Sequence, residues 1–315
     1  MNKAGAIQKE LEQSRKSNDT EDLLDSVFTE PLGLVWAKLC IKLHISANAV
    51  TVASGVFGVI GGALFFPRNI WLNLLGVLLH IFSAILDCSD GQVARLTHTS
   101  SEFGRILDGI SDGFCMAAAY LAIGARLMGE PIPFTDGKLW GIWIWPLIVL
   151  TGWFCHMDQC RMADYYRNAH LFFLNGREHA EFSSTEQIAA KKKALPADAS
   201  YWEKQSVTSY EGWTKKQEKN SPCLCRLMRL QMKDTEVSPS LGSDFLEASR
   251  PYIQLTNVLT VNVRAYAMYL AVLLGLPFWY LVFTCLILQP VRSFMVGKYE
   301  GIARRLTAKY YPGKE

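Results

Sequence analysis

Six stretches of this 315-residue chain are long and apolar enough to cross a hydrocarbon core: residues 48–66, 70–87, 105–128, 139–160, 257–276 and 278–296. A core of about 30 Å needs about 20 apolar residues of helix, so these runs predict an all-α polytopic membrane protein with six transmembrane helices. The runs are separated at "FFPRN", "GEPIPFTDGK" and "GLPFW". With 50% hydrophobic and only 19% charged residues, the chain is too oily for an average soluble protein, yet it has enough charge for a sizeable aqueous portion.

Lysine and arginine set the orientation, because cytoplasmic loops hold the excess. With the N-terminus inside, the outer turns contain only Arg68, Arg126 and Lys138 of the 32 basic residues. Both termini are therefore expected in the cytoplasm. The opening "MNKAGAIQKELEQSRK" lacks the apolar core of a secretory signal. Residues 31–45, "PLGLVWAKLCIKLHI", alternate apolar and basic positions at helical spacing and predict an amphipathic helix lying in the membrane interface. The expected divisions are residues 1–47 for a cytoplasmic segment and interfacial helix, 48–170 for helices one to four, and 171–253 for a partly helical cytoplasmic insert. Residues 254–298 then hold helices five and six, and 299–315 form a cytoplasmic tail. Residues 171–250 carry 12 basic and 11 acidic side chains, including Lys191, Lys192 and Lys193, and read as a solvated accessory segment. The net charge of +3 gives no case for nucleic acid. The eight cysteines have no disulfide spacing, and Cys223 with Cys225, or Cys155 with His156, read as packing more readily than as zinc ligands.

Against this apolar background, "LDCSDGQVARLTHTSSEFGRILDGISDG" over residues 86–113 is conspicuous for its four aspartates. A charged side chain within a bilayer costs at least about 3 kcal/mol, so acids placed there mark a functional site by default. Asp87 and Asp90 are three apart, Asp108 and Asp112 four apart, so each pair projects from one helical face. The hairpin of spans two and three brings all four to the inner membrane surface. Such crowding of like charge calls for a cation, and oxygen ligands without histidine or cysteine favour Mg²⁺ or Mn²⁺ over zinc. Gly91 and Gly104 remove side chains near the cluster, Ala94 is small, and Arg95 offers a donor fork suited to phosphate oxygens. Carboxylates, metal and arginine together describe a diphosphate site.

The stretch resembles the signature of the CDP-alcohol phosphotransferase family, D-x2-D-G-x2-A-R-x8-G-x3-D-x3-D. Asp87, Asp90, Gly91, Ala94, Arg95, Gly104, Asp108 and Asp112 occupy its fixed positions. "SANAVT" is similar to the family's Pro-Asn-x-x-Thr, with Asn48 and Thr51 in place and Ala47 where proline is usual. The resemblance implies a donor such as CDP-diacylglycerol, release of CMP, Asn48 and Thr51 among the nucleotide-binding residues, Asp112 as general base as well as a metal-site aspartate, and a homodimer in the plasma (cytoplasmic) membrane.

The resemblance also implies a small polar alcohol as acceptor. Arg161, Arg167 and Arg264 lie at or near the fourth and fifth spans, where arginines either snorkel to lipid headgroups or bind an anionic acceptor. The "DGQVAR" form is similar to inositol-lipid members, so inositol 1-phosphate or inositol is expected, ahead of glycerol 3-phosphate and serine. His98 reads as a solvated loop residue, and Trp36, Trp71, Trp140, Trp143, Trp145 and Trp153 as interfacial anchors. A transporter would place its acids near the midplane, often in repeated halves, and an aspartate-rich prenyltransferase would carry two separated acidic motifs. Neither pattern is present.

Overall fold

The computed structural model describes residues 25–176, 183–196, 199–233 and 238–313. The N-terminal segment before residue 25 and parts of the expected insert lie outside them. Every regular element among the described residues is helical. The chain forms two compact units: one of residues up to Phe154 plus Ala265–Phe283, the other of Cys155–Arg264 plus Thr284 onward.

In the first unit, α1 (Glu30–Lys42) is followed by α2 (Ala47–Ala63), α3 (Ile70–Leu96) and α4 (Glu102–Met128). Local chemistry sets each start: the side chains of Ser46, Asn69 and Ser101 accept from the first-turn amides of Ala49, of Trp71 and Leu72, and of Gly104. The "FFPRN" break closes on Asn73, whose Nδ2 donates to the carbonyls of Leu64 and Pro67 at 2.8 and 2.9 Å. In the turn after α4, an isolated antiparallel pair joins Pro131 and Leu139. A short α5 (Ile144–Val149) follows. The helices α3 and α4, each of 27 residues, are long and apolar enough to cross a membrane, as is the helix Pro277–Tyr310, whereas α2 is a shorter apolar helix.

Small residues set the spacing of this unit. On α2, Gly55, Gly58 and Gly62 face Ser111, Cys115 and Ala119 of α4, and a methyl group on Gly62 would sit 2.8 Å from the Ala119 backbone nitrogen. On another face, Gly61 and Gly76 of α3 meet backbone to backbone, each Cβ position lying within 2.8 Å of the other's carbonyl oxygen. Lipid tails are as apolar as leucine, so membrane helices gain from close backbone approach more than from bulky side chains. Hydroxyls secure the contact: Ser83 donates to the Ser54 carbonyl at 2.7 Å and Ser111 to that of Thr51 at 3.3 Å. Above this seam a core of Phe65, Ile123, Leu127, Met268, Tyr269 and Tyr280 is fully or nearly fully buried.

The second unit contains α6 (Met157–Asn175), α7 (Thr185–Ala194), α8 (Tyr201–Asn220), α9 (Pro222–Lys233) and α10 (Pro239–Leu259). It also contains the start of α11 (Val261–Leu273), which leads through α12 (Pro277–Phe283) to α13 (Gln289–Tyr310). Tyr166 stacks on Tyr299 with ring centroids 4.1 Å apart, and Phe173 packs on Phe245 at 4.4 Å. The start of α9 is capped from α13, where Glu300 accepts from the backbone amides of Cys223 and Leu224 at 2.9 and 3.0 Å and from the Ser221 hydroxyl at 2.7 Å. Burial, reinforced by the charge of Glu218, pushes the Cys225 thiol up to about 12.

Two stretches read as single spans are subdivided. Residues 139–160 begin in a 3₁₀ turn, continue through α5 and a π-helical segment, and enter the polar α6. Residues 257–276 are interrupted at Thr260, which adopts an extended conformation with its hydroxyl bonded to the Asn257 carbonyl. A hydropathy window averages across such local hydrogen-bond substitutions and does not register them.

Gly62→Ile should lower thermal stability in detergent sharply, by at least about 2 kcal/mol, because the neighbour it meets is backbone and cannot rotate away. Glu300→Ala should expose three polar hydrogens at the start of α9 and destabilise by about 1–3 kcal/mol, read by the same thermal assay. Tm values unchanged from wild type would contradict both.

Candidate metal and diphosphate centre

The cluster is built by α3 and α4, which the loop at 97–101 turns back on each other. In that loop His98 takes a left-handed φ of 54°, and Thr97 caps α3 by donating to the Val93 carbonyl at 2.7 Å. Ser101 then starts α4, donated to at 3.0 Å by the Gly104 amide. Asp87 and Asp90 on α3 and Asp108 on α4 thereby converge, each presenting one carboxylate oxygen within 4.8 Å of the others. Asp90 is buried, with only 7% of its surface exposed.

One oxygen from each, Asp87 Oδ1, Asp90 Oδ2 and Asp108 Oδ1, is buried with no hydrogen-bond partner. Buried carboxylate oxygens are costly unless something compensates them. One carboxylate oxygen from each of the three residues, gathered within 4.8 Å with no nitrogen or sulfur ligand in the group, fits a hard divalent cation. The donor set therefore passes the test of chemistry for Mg²⁺ or Mn²⁺. Asp112 is not part of the trio: it is exposed, and it acts on Asp87 and on its other acidic neighbours through its charge.

The other signature residues surround the trio. Thr51 on α2 is buried, its hydroxyl donating to the Ala47 carbonyl at 3.1 Å. Gly91 makes room for Arg95, whose guanidinium folds back one turn so that a methyl at Gly91 would lie 3.1 Å from Nη1. Arg95 Nε is buried and has no hydrogen-bond partner. A methyl at Gly104 would lie 3.3 Å from Asn48 Oδ1, so Asn48 reaches the first turn of α4. Ala94 is half-buried one turn beyond Asp90. Unpartnered carboxylate oxygens and the buried Nε of Arg95 belong to the same signature, a donor set that suits metal-bound phosphate oxygens.

The basic candidates belong to the second unit and are tied to α6. Arg264 is fully buried, donating to Gln159 Oε1 at 2.6 Å and to the Leu259 carbonyl at 3.2 Å. Arg167 donates to Asn257 Oδ1 at 2.6 Å. Arg161 pairs with Asp158 at 3.2 Å and stacks over Trp213 at 4.7 Å. Arg292, not singled out in the sequence, completes this group by meeting the other Asp158 oxygen at 2.8 Å. Only the i,i+3 spacing of Asp158 and Arg161 was legible in advance; Arg292 is remote in sequence.

Residues 44–163 match the CDP-alcohol phosphatidyltransferase family. This is a transferase family of phospholipid biosynthesis whose members use divalent metal ions, and the likeness is consistent with an enzyme. The matched segment holds the whole signature and ends within α6, so α7 to α10 lie outside it. No curated protein and no solved structure matches the chain.

The carboxylate trio makes Mn²⁺ binding measurable without turnover. Asp90→Asn should weaken Mn²⁺ binding, followed by electron paramagnetic resonance titration in detergent, by about 100-fold, whereas Asp112→Asn should change it by no more than about threefold. Equal losses in the two variants would contradict this division of roles.

Proposed function

We propose that the protein transfers a phosphatidyl group from CDP-diacylglycerol, or a similar CDP-lipid, to the hydroxyl of a small polar alcohol, releasing CMP. The observation that carries this reading is the convergence of three aspartates, each with a buried unpartnered oxygen, in a segment matching the CDP-alcohol phosphatidyltransferase family. Asp87, Asp90 and Asp108 would hold Mg²⁺ or Mn²⁺, with Asp112 at the edge of the same field. The bound ion would supply charge neutralisation of the diphosphate and of the departing CMP oxygen.

The chain's own residues do the rest. Arg95 orients diphosphate oxygens through its fork, and Asn48 and Thr51 define the nucleotide side of the recess. Asp112 is accessible enough to meet an entering hydroxyl and acts as general base, taking the acceptor's proton as its oxygen attacks phosphorus. The acceptor is inositol 1-phosphate or inositol, with glycerol 3-phosphate next and serine third. Arg161, Arg167 and Arg264 serve an anionic acceptor, a role supported by the concentration of buried basic groups around α6.

The same reading places the chain in the plasma (cytoplasmic) membrane as a homodimer with six spans and cytoplasmic termini. Its support is the positive-inside distribution and the exposed apolar side chains that a lipid phase would cover, among them Val56, Ile60, Leu78, Phe114 and Leu121. The exposed Leu32, Val35 and Leu39 of α1 likewise suit a helix lying in the interface.

Membranes containing the protein, given CDP-diacylglycerol, Mg²⁺ and each alcohol in turn, should release CMP with one phosphorylated or polyol acceptor, the lipid product being identified by mass spectrometry. Asp112→Asn should lower kcat by about 10²–10⁴ while the donor KM stays close to wild type. Arg264→Ala should raise KM for a phosphorylated acceptor well above its effect on the donor. Absence of CMP release with every alcohol would overturn the assignment.

A further inference from the structure

Within the signature, Gln92 occupies one of the two variable positions between Gly91 and Ala94, yet it is only 1% exposed. Its Nε2 donates at 3.1 Å to the carbonyl of Glu30, the first residue of α1. One turn back on the same face is Cys88. Gly33 of α1 closes against both: a methyl there would lie 3.2 Å from Cys88 Sγ and 3.3 Å from Gln92 Oε1. The contact extends through Trp36, edge-on to Phe82 at 5.3 Å, and through Ala37 and Cys40, which share a buried cluster with Leu86 and Val93. Helix α1 thus runs beside the stretch of α3 that carries Asp87 and Asp90, on the face adjoining theirs.

We infer that Gln92 is a positioning residue for the metal centre, tying α1 to α3 so that the turn carrying Asp87 and Asp90 is held at the distance from Asp108 that an ion requires. This rests on the metal-site reading above. Ligand carboxylates repel one another before an ion arrives, and the end of α3 that carries them must resist splaying. The seam with α1 supplies that resistance. Outer-shell contacts of this kind typically alter metal affinity by about 10- to 100-fold. Gly33 is the matching half of the device, since even a methyl there would press on Cys88 Sγ at 3.2 Å and on Gln92 Oε1 at 3.3 Å.

The test uses the full-length protein with Gln92→Leu, which keeps the apolar bulk and removes the donor, and Gly33→Leu, which opens the seam from the opposite side. Alkylation of Cys88 by a maleimide, read by peptide mass spectrometry, should accelerate about tenfold in each variant, and Mn²⁺ affinity by electron paramagnetic resonance should fall about tenfold. Transfer activity should recover at saturating Mn²⁺ with acceptor KM unchanged, which general unfolding would not allow. The double variant should show little further loss, because both substitutions open one seam. Unchanged Cys88 alkylation would overturn the seam, and faster alkylation with wild-type Mn²⁺ affinity would overturn the positioning role. A wild-type protein that binds no Mn²⁺ would instead remove the metal-site reading itself, and the inference with it.

Discussion

Repulsion among carboxylates governs the first unit. Three aspartates with buried, unpartnered oxygens share a space less than 5 Å across, and a fourth adds its field from the edge. At such separations, in surroundings less polar than water, like charges oppose each other by several kcal/mol per pair unless a counter-charge enters. A fold that nonetheless holds them together has the attributes of a receptor for a multivalent cation. The loop between α3 and α4 and the caps at Ser46 and Ser101 serve to hold this arrangement in place.

What allows charges to be gathered there is close packing elsewhere in the same unit. The contacts of α2 with α3 and α4 depend on Gly61, Gly62 and Gly76, where backbone atoms meet directly, and on Gly55 and Gly58, which receive the side chains of Ser111, Cys115 and Ser83. Such seams are rigid because no rotamer can adjust within them. Serine and threonine hydroxyls crossing the same seam fix its register without adding charge. Sequence, packing and site are therefore linked: the glycine spacing on α2 sets the helix separation, and that separation sets how closely Asp108 approaches Asp87 and Asp90.

The signature was legible because chemistry imposes fixed spacings on it, and the structure brings Asp87, Asp90 and Asp108 to one point as the periodicity of two helices requires. The breaks at "FFPRN" and "GLPFW" were equally visible, the latter as a turn with Gly275 at a φ of 71°. Other features depend on partners far away in sequence. Nothing local marks Thr260 as a helix end, Arg292 as the second partner of Asp158, or Glu300 as the cap of α9. The glycines near the site were read as openings for a ligand or a backbone; at Gly91 the nearest neighbour is the folded-back Arg95, and at Gly104 it is the side chains of Ser101 and Asn48. Composition could indicate that space was needed there, but only the packed structure shows what uses it.

The central claim is that the aspartate cluster seats a divalent ion which in turn faces the diphosphate of a nucleotide-linked lipid. Pulsed electron paramagnetic resonance of Mn²⁺-loaded protein with a non-hydrolysable CDP-lipid analogue tests this most directly. The account predicts a ³¹P hyperfine coupling of a directly bound phosphate, absent when the analogue is omitted. A spectrum of fully hydrated Mn²⁺, unaltered by the analogue, would contradict it.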